Sequence, residues 1–264
     1  GDPLDVLGRL PDRALGEAEL CSRSLHRYLQ GIWPIIEPGR TFVDNWHIGA
    51  ICEVLEAVTA FDLKCVVINV PPRTTKSVTT CVAWPTWVWT RKQNMNRVGF
   101  TLGASARFLC ASHDADLATR DSLRSRRVIE SEWYQRRWGH VFTITTDQNT
   151  KTNYENDKTG YRLTETVGGS VMGKGGDYRV IDDPHKTDSQ EGDDVREKKL
   201  NWLREEFSTR YIDPQRNAVV LIMQRVHERD MSGFMLAEQM ADYHLCIPMR
   251  YEERRKIYLP PVQH

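Results

Sequence analysis

Apolar β-branched runs alternate with amphipathic stretches along this chain, and the alternation predicts strands separated by helices. Residues 64–70 and 217–225 are continuous apolar runs of strand length, the pattern of strands buried on both faces. FTITTD (142–147) and YRLTET (161–166) alternate apolar with polar residues, as half-buried strands do. Short strands are predicted at 97–105, 178–181 and 244–249. Ile48, Ile51, Cys52, Leu55 and Val58 share one helical face and predict a helix over 46–60. Further helices are predicted over 14–30, 76–89, 106–130, 195–211 and 231–240, with a turn-rich connection over 31–40. VGGSVMGKGGDY (167–178) holds five glycines in twelve residues and reads as a flexible loop rather than a packed element. The whole pattern predicts a three-layer α/β fold around a mainly parallel sheet.

Three strand ends carry candidate chemistry. In CVVINVPPRTTKSVTT (65–80), an apolar strand breaks at two prolines and restarts as a helix at Lys76-Ser77. In a phosphate loop, backbone N–H groups and the helix N-terminus surround the phosphates. A Lys ammonium reaches the β- and γ-phosphates, and the next hydroxyl binds Mg²⁺. Lys76 and Ser77 suit those two roles, although the GxxxxGK[ST] pattern would place glycine at Val70 and Thr75. In YRVIDDPHK (178–186), Asp182 suits metal binding and Asp183 suits activation of the attacking water. In LIMQRVHERD (221–230), Gln224 follows an apolar run and can hydrogen-bond a γ-phosphate or its water. Ligands gather at the carboxyl edge of open α/β sheets, so three such strand ends point to one nucleotide site.

Length and composition narrow the classes. At 264 residues the chain can bury the core of one large α/β domain. Thirty-six basic residues balance thirty-six acidic ones, which argues against a generic polyanion-coating protein. The basic residues between Arg120 and Arg137 form a local cationic segment that leaves nucleic acid open as a partner, and a solvated helix face or a subunit interface would use them equally well. The six cysteines are scattered without a CxxC pair, a usage that fits a reducing cytoplasm. No signal peptide and no membrane-spanning run is expected.

Taken together, NWHIGAICEVLEAV, INVPPRTTKS, RLTETVGGSVMGKGGDYRVIDDPHK and VVLIMQRVHERDMSGFML resemble the large terminase subunit of tailed bacteriophages, from about residue 42 to 249. The resemblance implies an additional-strand (ASCE) P-loop ATPase that hydrolyses ATP with Mg²⁺ and drives double-stranded DNA into a procapsid. By resemblance, Arg73, Thr74, Thr75, Lys76 and Ser77 form the phosphate loop. Asp182 is the metal-binding acid, Asp183 the catalytic acid, and Gln224 with Arg225 the coupling motif. Trp46 and His47 lie where the family contacts adenine. The family also implies a homo-oligomeric ring, portal protein and small terminase subunit as partners, and the cytoplasm of an infected bacterium as location.

Three departures stand out: Thr75 where many members carry Gly, Asp183 where Glu is usual, and Lys174 where members often carry an Arg. That Arg resembles a charge supplied to a neighbour's ATP, so Lys174 is a candidate trans-acting residue, with Arg162 and Arg179 as rivals. The expected organisation is a lead-in with a helix over 1–40, the ATPase domain over 41–250, and over 251–264 the start of a linker to a nuclease domain. No nuclease activity is expected of the chain itself. A helicase- or remodeller-like ATPase and a nucleotide-binding docking module with little hydrolysis are the alternative readings.

Overall fold

Eight strands form one sheet: β1 (Cys65–Asn69), β2 (Phe108–Ser112), β3 (Ile144–Asn149), β4 (Tyr154–Asn156), β5 (Tyr161–Thr166), β6 (Tyr178–Asp182), β7 (Ala218–Met223) and β8 (Tyr243–Cys246). The structure is a computed structural model and describes residues 12–93, 101–171, 173–186 and 191–249. Spatially the strands run β3-β4-β5-β2-β6-β7-β1-β8. Every pairing from β5 to β8 is parallel, while β3–β4 and β4–β5 are antiparallel. One consequence sets up the site: β7 lies between β1 and β6, and all three end on the same edge.

Period-two alternation splits the central strands between two cores. Val66, Ile68, Val180, Val220 and Ile222 face one cluster, while Val67, Ile181, Val219, Leu221 and Met223 face the other. The first face is covered by α1 (Asp12–Arg23), α2 (Leu25–Ile36), α3 (Trp46–Thr59), α4 (Trp84–Val88), α5 (Ala115–Glu130) and α6 (Glu132–Trp138). The second is covered by α7 (Asp193–Asn201), its π- and 3₁₀-helical continuation through Thr209, and α8 (Met231–Ala237). No described helix is long and apolar enough to cross a membrane.

Helix 76–88 begins at Lys76, runs through a π-helical stretch (Val78–Ala83) and continues as α4. Trp84, Trp87 and Trp89 anchor it, with indole N–H groups donating to Thr59 Oγ1 (2.8 Å), the Cys21 carbonyl (2.9 Å) and the Ala106 carbonyl (2.9 Å). Buried indoles need such partners, so each fixes the helix at a defined height over the sheet.

Several expected boundaries move. The helix expected over 14–30 is two helices, because Ser24 adopts extended backbone and caps α2 by accepting from Arg27 N–H. The turn expected over 31–40 is helical as far as Ile36 and contains Pro34, tolerated because Ile32 and Ile36 are buried on the same face. The strand expected at 97–105 overlaps residues 94–100, which lie outside the described set. Gly103–Ser105 is a 3₁₀ turn instead, and the strand is β2, so the following helix begins at Ala115 rather than 106. The glycine-rich segment is partly packed: Val167 and Val171 are buried, and Asp177 accepts from Arg107 N–H at 2.9 Å.

Candidate functional site

β1, β7 and β6 deliver their carboxyl ends side by side, and the candidate residues converge there. Asn69 ends β1, and its side chain amide donates to the Met223 carbonyl at the end of β7 (3.3 Å). The Val70 N–H donates to the same carbonyl (3.2 Å), locking the loop's entry against the neighbouring strand. The chain then turns through Pro71 to Thr75, with Thr74 Oγ1 donating to the Pro71 carbonyl (2.8 Å). Arg73 (φ 63°) and Thr75 (φ 65°) both adopt left-handed backbone. The loop therefore takes a glycine-like path without glycine, and Arg73 is exposed at its bend. A β-branched side chain at positive φ costs about 1–2 kcal/mol. The Thr75 carbonyl is held by Thr79, whose N–H and Oγ1 donate to it at 2.9 and 3.0 Å.

Thr75→Gly is accordingly expected to raise the melting temperature by about 1–3 °C, since relief of strain exceeds the added chain entropy by a fraction of a kcal/mol. A thermal melt checks it. A lower melting temperature would show that Thr75 contributes contacts worth more than its strain.

Lys76 is nearly enclosed, with 6% exposure, and its ammonium lies 2.8 Å from Asp183 Oδ2. Asp183 has φ 42°, and its backbone N–H donates to the Ile222 carbonyl (3.0 Å). The Gln224 N–H donates to Asp183 Oδ1 (3.2 Å). His113, just beyond β2, donates from Nδ1 to the Asp183 carbonyl (2.6 Å). Asp183 thus joins the 71–75 loop, the acidic turn and the end of β7 in one contact set. It is short, yet it spans the distance to Lys76.

Asp182 differs in every respect. It is 6% exposed and its Oδ1 has no hydrogen-bond partner. Burial pushes its carboxyl up to about 7, with the neighbouring Asp183 charge adding to the rise. Ser77 stands within hydrogen-bonding reach of the same carboxylate and opposes the shift. A buried orphan carboxylate oxygen beside a hydroxyl is a hard oxygen donor set that fits Mg²⁺. No group of three or more metal-binding side chains occurs among the described residues.

The remaining candidates separate. Trp46 is 59% exposed at the start of α3, and His47 Nε2 is buried without a partner. Both sit on a helix that packs against the π-helical stretch after the loop. Gln224 engages through its backbone, and Arg225 is bound to its own loop, donating from Nε to Asp230 Oδ2 (3.0 Å). Lys174 pairs with Glu165 on β5 and remains partly exposed. Arg162 and Arg179 are both buried inside the subunit. Arg162 braces the π-helical stretch by donating to the Cys81 carbonyl (3.1 and 3.3 Å), and Arg179 donates to the Phe207 (2.8 Å) and Ser208 (2.7 Å) carbonyls. Neither can reach a neighbouring molecule without unfolding its surroundings.

The basic run also changes character, because Arg124 pairs with Glu37, Arg126 with Glu130, Arg136 with Glu132 and Arg137 with Glu17. It is a laced surface rather than an open cationic one. His113 falls inside the helix that the sequence pattern predicts over 106–130, and the structure places it instead just past the end of β2. Its signal is a His directly after the short, largely apolar run FLCAS.

No protein-family model and no curated protein matches this chain. Among solved structures, the crystal structure of the HK97 bacteriophage large terminase is similar over 88% of this chain, with TM-score 0.52 and 7% identity. The chain spans 45% of that protein's length. The match shows a shared terminase-like fold with a mixed, mostly parallel sheet.

Proposed function

We propose that this chain is a Mg²⁺-dependent ATPase motor domain of a viral DNA-packaging machine, acting on double-stranded DNA. The observation that carries it is the 2.8 Å contact between Lys76 and Asp183, a strand-end lysine on a left-handed loop meeting the second of two strand-end acids. β7 between β1 and β6 supports the additional-strand form of the P-loop fold, because it sets loop and acids one strand apart.

The chemistry assigns each group a task. The loop's N–H groups and the start of helix 76–88 offer positive potential to a triphosphate. Lys76 exchanges Asp183 for phosphate oxygens when nucleotide enters. Asp183, released from that pair, accepts the proton of the attacking water, while His113 and the Gln224 N–H keep it in place. Ser77 and Asp182 would hold Mg²⁺, which supplies charge neutralisation on the phosphates. Trp46 and His47 are assigned to the adenine, Arg73 and Thr74 to the phosphates, and Gln224 to reporting hydrolysis. Lys174 is the assigned trans-acting residue. It requires release from Glu165, which assembly into a ring would provide. Portal protein, small terminase subunit and the infected host's cytoplasm complete the setting.

The decisive experiment measures ATP turnover with and without double-stranded DNA for the wild-type chain and Lys76→Ala. Turnover should need Lys76, falling about 10²-fold or more in the variant. Equal turnover in both proteins sinks the reading.

A further inference from the structure

His185 is three residues beyond Asp182, and nothing above gives it a task. Its side chain is completely enclosed, with 0% exposure. The Met231 backbone N–H donates to its Nε2 at 2.9 Å. Nε2 is therefore an acceptor, so the ring proton resides on Nδ1, which donates to Glu191 Oε2 at 2.6 Å. Glu191 is in turn paired with Lys199 of α7.

Met231 begins α8, where the first N–H groups have no helical partner. The residue before it, Asp230, is wholly buried and organises the loop behind it. Its Oδ2 accepts from Arg225 Nε (3.0 Å), Val226 N–H (3.0 Å) and His227 N–H (3.3 Å), and its Oδ1 accepts from Gly233 N–H (2.8 Å). Residues 224–231 are thus one hydrogen-bonded block. The block is tied to the acidic turn at two places: Gln224 N–H to Asp183 Oδ1, and Met231 N–H to His185 Nε2. The first tie includes the reacting carboxylate. The second does not, because neither His185 Nε2 nor Met231 N–H touches Asp183.

We propose that His185 is a positioning residue: its neutral imidazole clamps the acidic turn to the 224–231 block and so sets Asp183 and Gln224 at a constant separation. The inference rests on the ATPase reading for its consequence, though the clamp itself does not. Charged groups facing the ring are Glu191 and Lys199 on the α7 side and Asp230 on the α8 side. Burial outweighs the two carboxylates and keeps the ring's proton affinity below that of an ordinary histidine. The neutral form that the clamp requires is the one the surroundings favour.

The test has three parts. A ring-nitrogen NMR spectrum of the wild-type protein should show the Nδ1–H tautomer; the Nε2–H tautomer overturns the clamp, and no variant is needed for this arm. His185→Phe, which fills the space without an acceptor, should lower kcat about ten- to hundredfold with the affinity for a fluorescent ATP analogue unchanged. His185→Gln, whose amide oxygen can accept from Met231, should restore most of the rate. Wild-type kcat in a folded His185→Phe protein overturns the proposal.

Should the wild-type chain itself show no turnover, the ATPase reading fails while the clamp is judged by amide exchange at Met231. Slow exchange in wild type and His185→Gln with fast exchange in His185→Phe supports it. Equal exchange in all three overturns it.

Discussion

Asp183→Asn is expected to cut ATP turnover by about 10²–10⁴-fold while nucleotide affinity stays the same or improves. The two halves of that result come from one geometry. Asp183 supplies the only carboxylate that touches Lys76 among the described residues, at 2.8 Å, so it competes with phosphate for the ammonium. Asn keeps the shape and accepts the Gln224 N–H, but it neither holds Lys76 as firmly nor takes a proton from water. A simple loss of fold would lower affinity and turnover together, so the split is diagnostic. Without nucleotide the variant should also lose about 1 kcal/mol of stability, because Lys76 is nearly buried and its ammonium loses a counter-ion. The modest figure reflects the partial exposure of Asp183, whose side chain is 28% accessible. Single-turnover hydrolysis and titration with a fluorescent ATP analogue measure the two quantities separately. Turnover within about threefold of wild type would remove Asp183 from the role of general base.

Much of this site was legible in the chain because its strands are buried on both faces. β1 and β7 are almost wholly apolar runs, and a run that breaks at Pro-Pro or passes into Gln-Arg announces both a strand and where it ends. β6 (YRVID) was legible from Val180-Ile181 running into the paired acids, although Arg179 interrupts its apolar pattern. β2 was not, since only two residues separate FLCAS from α5 and the whole stretch reads as one helix. His113 is a strand-end residue only once β2 is placed. The Thr75 position was readable as a conflict between side chain and backbone, and the structure keeps the conflict at φ 65° rather than avoiding it.

Pairing was the least legible feature. Nothing local in the Arg120–Arg137 segment says that Glu37 and Glu17, about a hundred residues earlier, neutralise part of it. The same limit applies to Arg162, whose partner is a carbonyl exposed by a π-helical stretch 81 residues away. Local pattern identifies which residues end strands. It does not say which charges are spent internally.

Asp182→Asn is expected to do two opposite things, raising the stability of the metal-free protein and abolishing its turnover. The wild-type carboxyl is buried with an orphan oxygen beside a second acid, and its proton affinity is raised to about 7 from an ordinary 3.8. For an acid raised in the folded state, the contribution to stability is complete below the unfolded value, declines as pH rises and is lost above the folded value. The relevant window is therefore about pH 4 to 7, and at pH 8 the metal-free fold bears the full cost of a buried charge. Replacing the acid with an amide removes that cost, about 1–3 kcal/mol, or a rise of several degrees in melting temperature in EDTA at pH 8. At pH 5 the gain should shrink, because the wild-type carboxyl is already mostly protonated in the fold. Mg²⁺ binding needs the ionised form, so Mg²⁺–ATP should stabilise wild type more at pH 8 than at pH 6 and lose that pH dependence in Asp182→Asn. Turnover should fall by about 10²-fold or more, since the amide is a poorer ligand for a hard cation. Melting curves in EDTA at pH 5 and 8 decide the matter. A lower melting temperature for the variant at pH 8 would mean that Asp182 holds the fold together, and that its burial is not the strain of a metal ligand waiting for its ion.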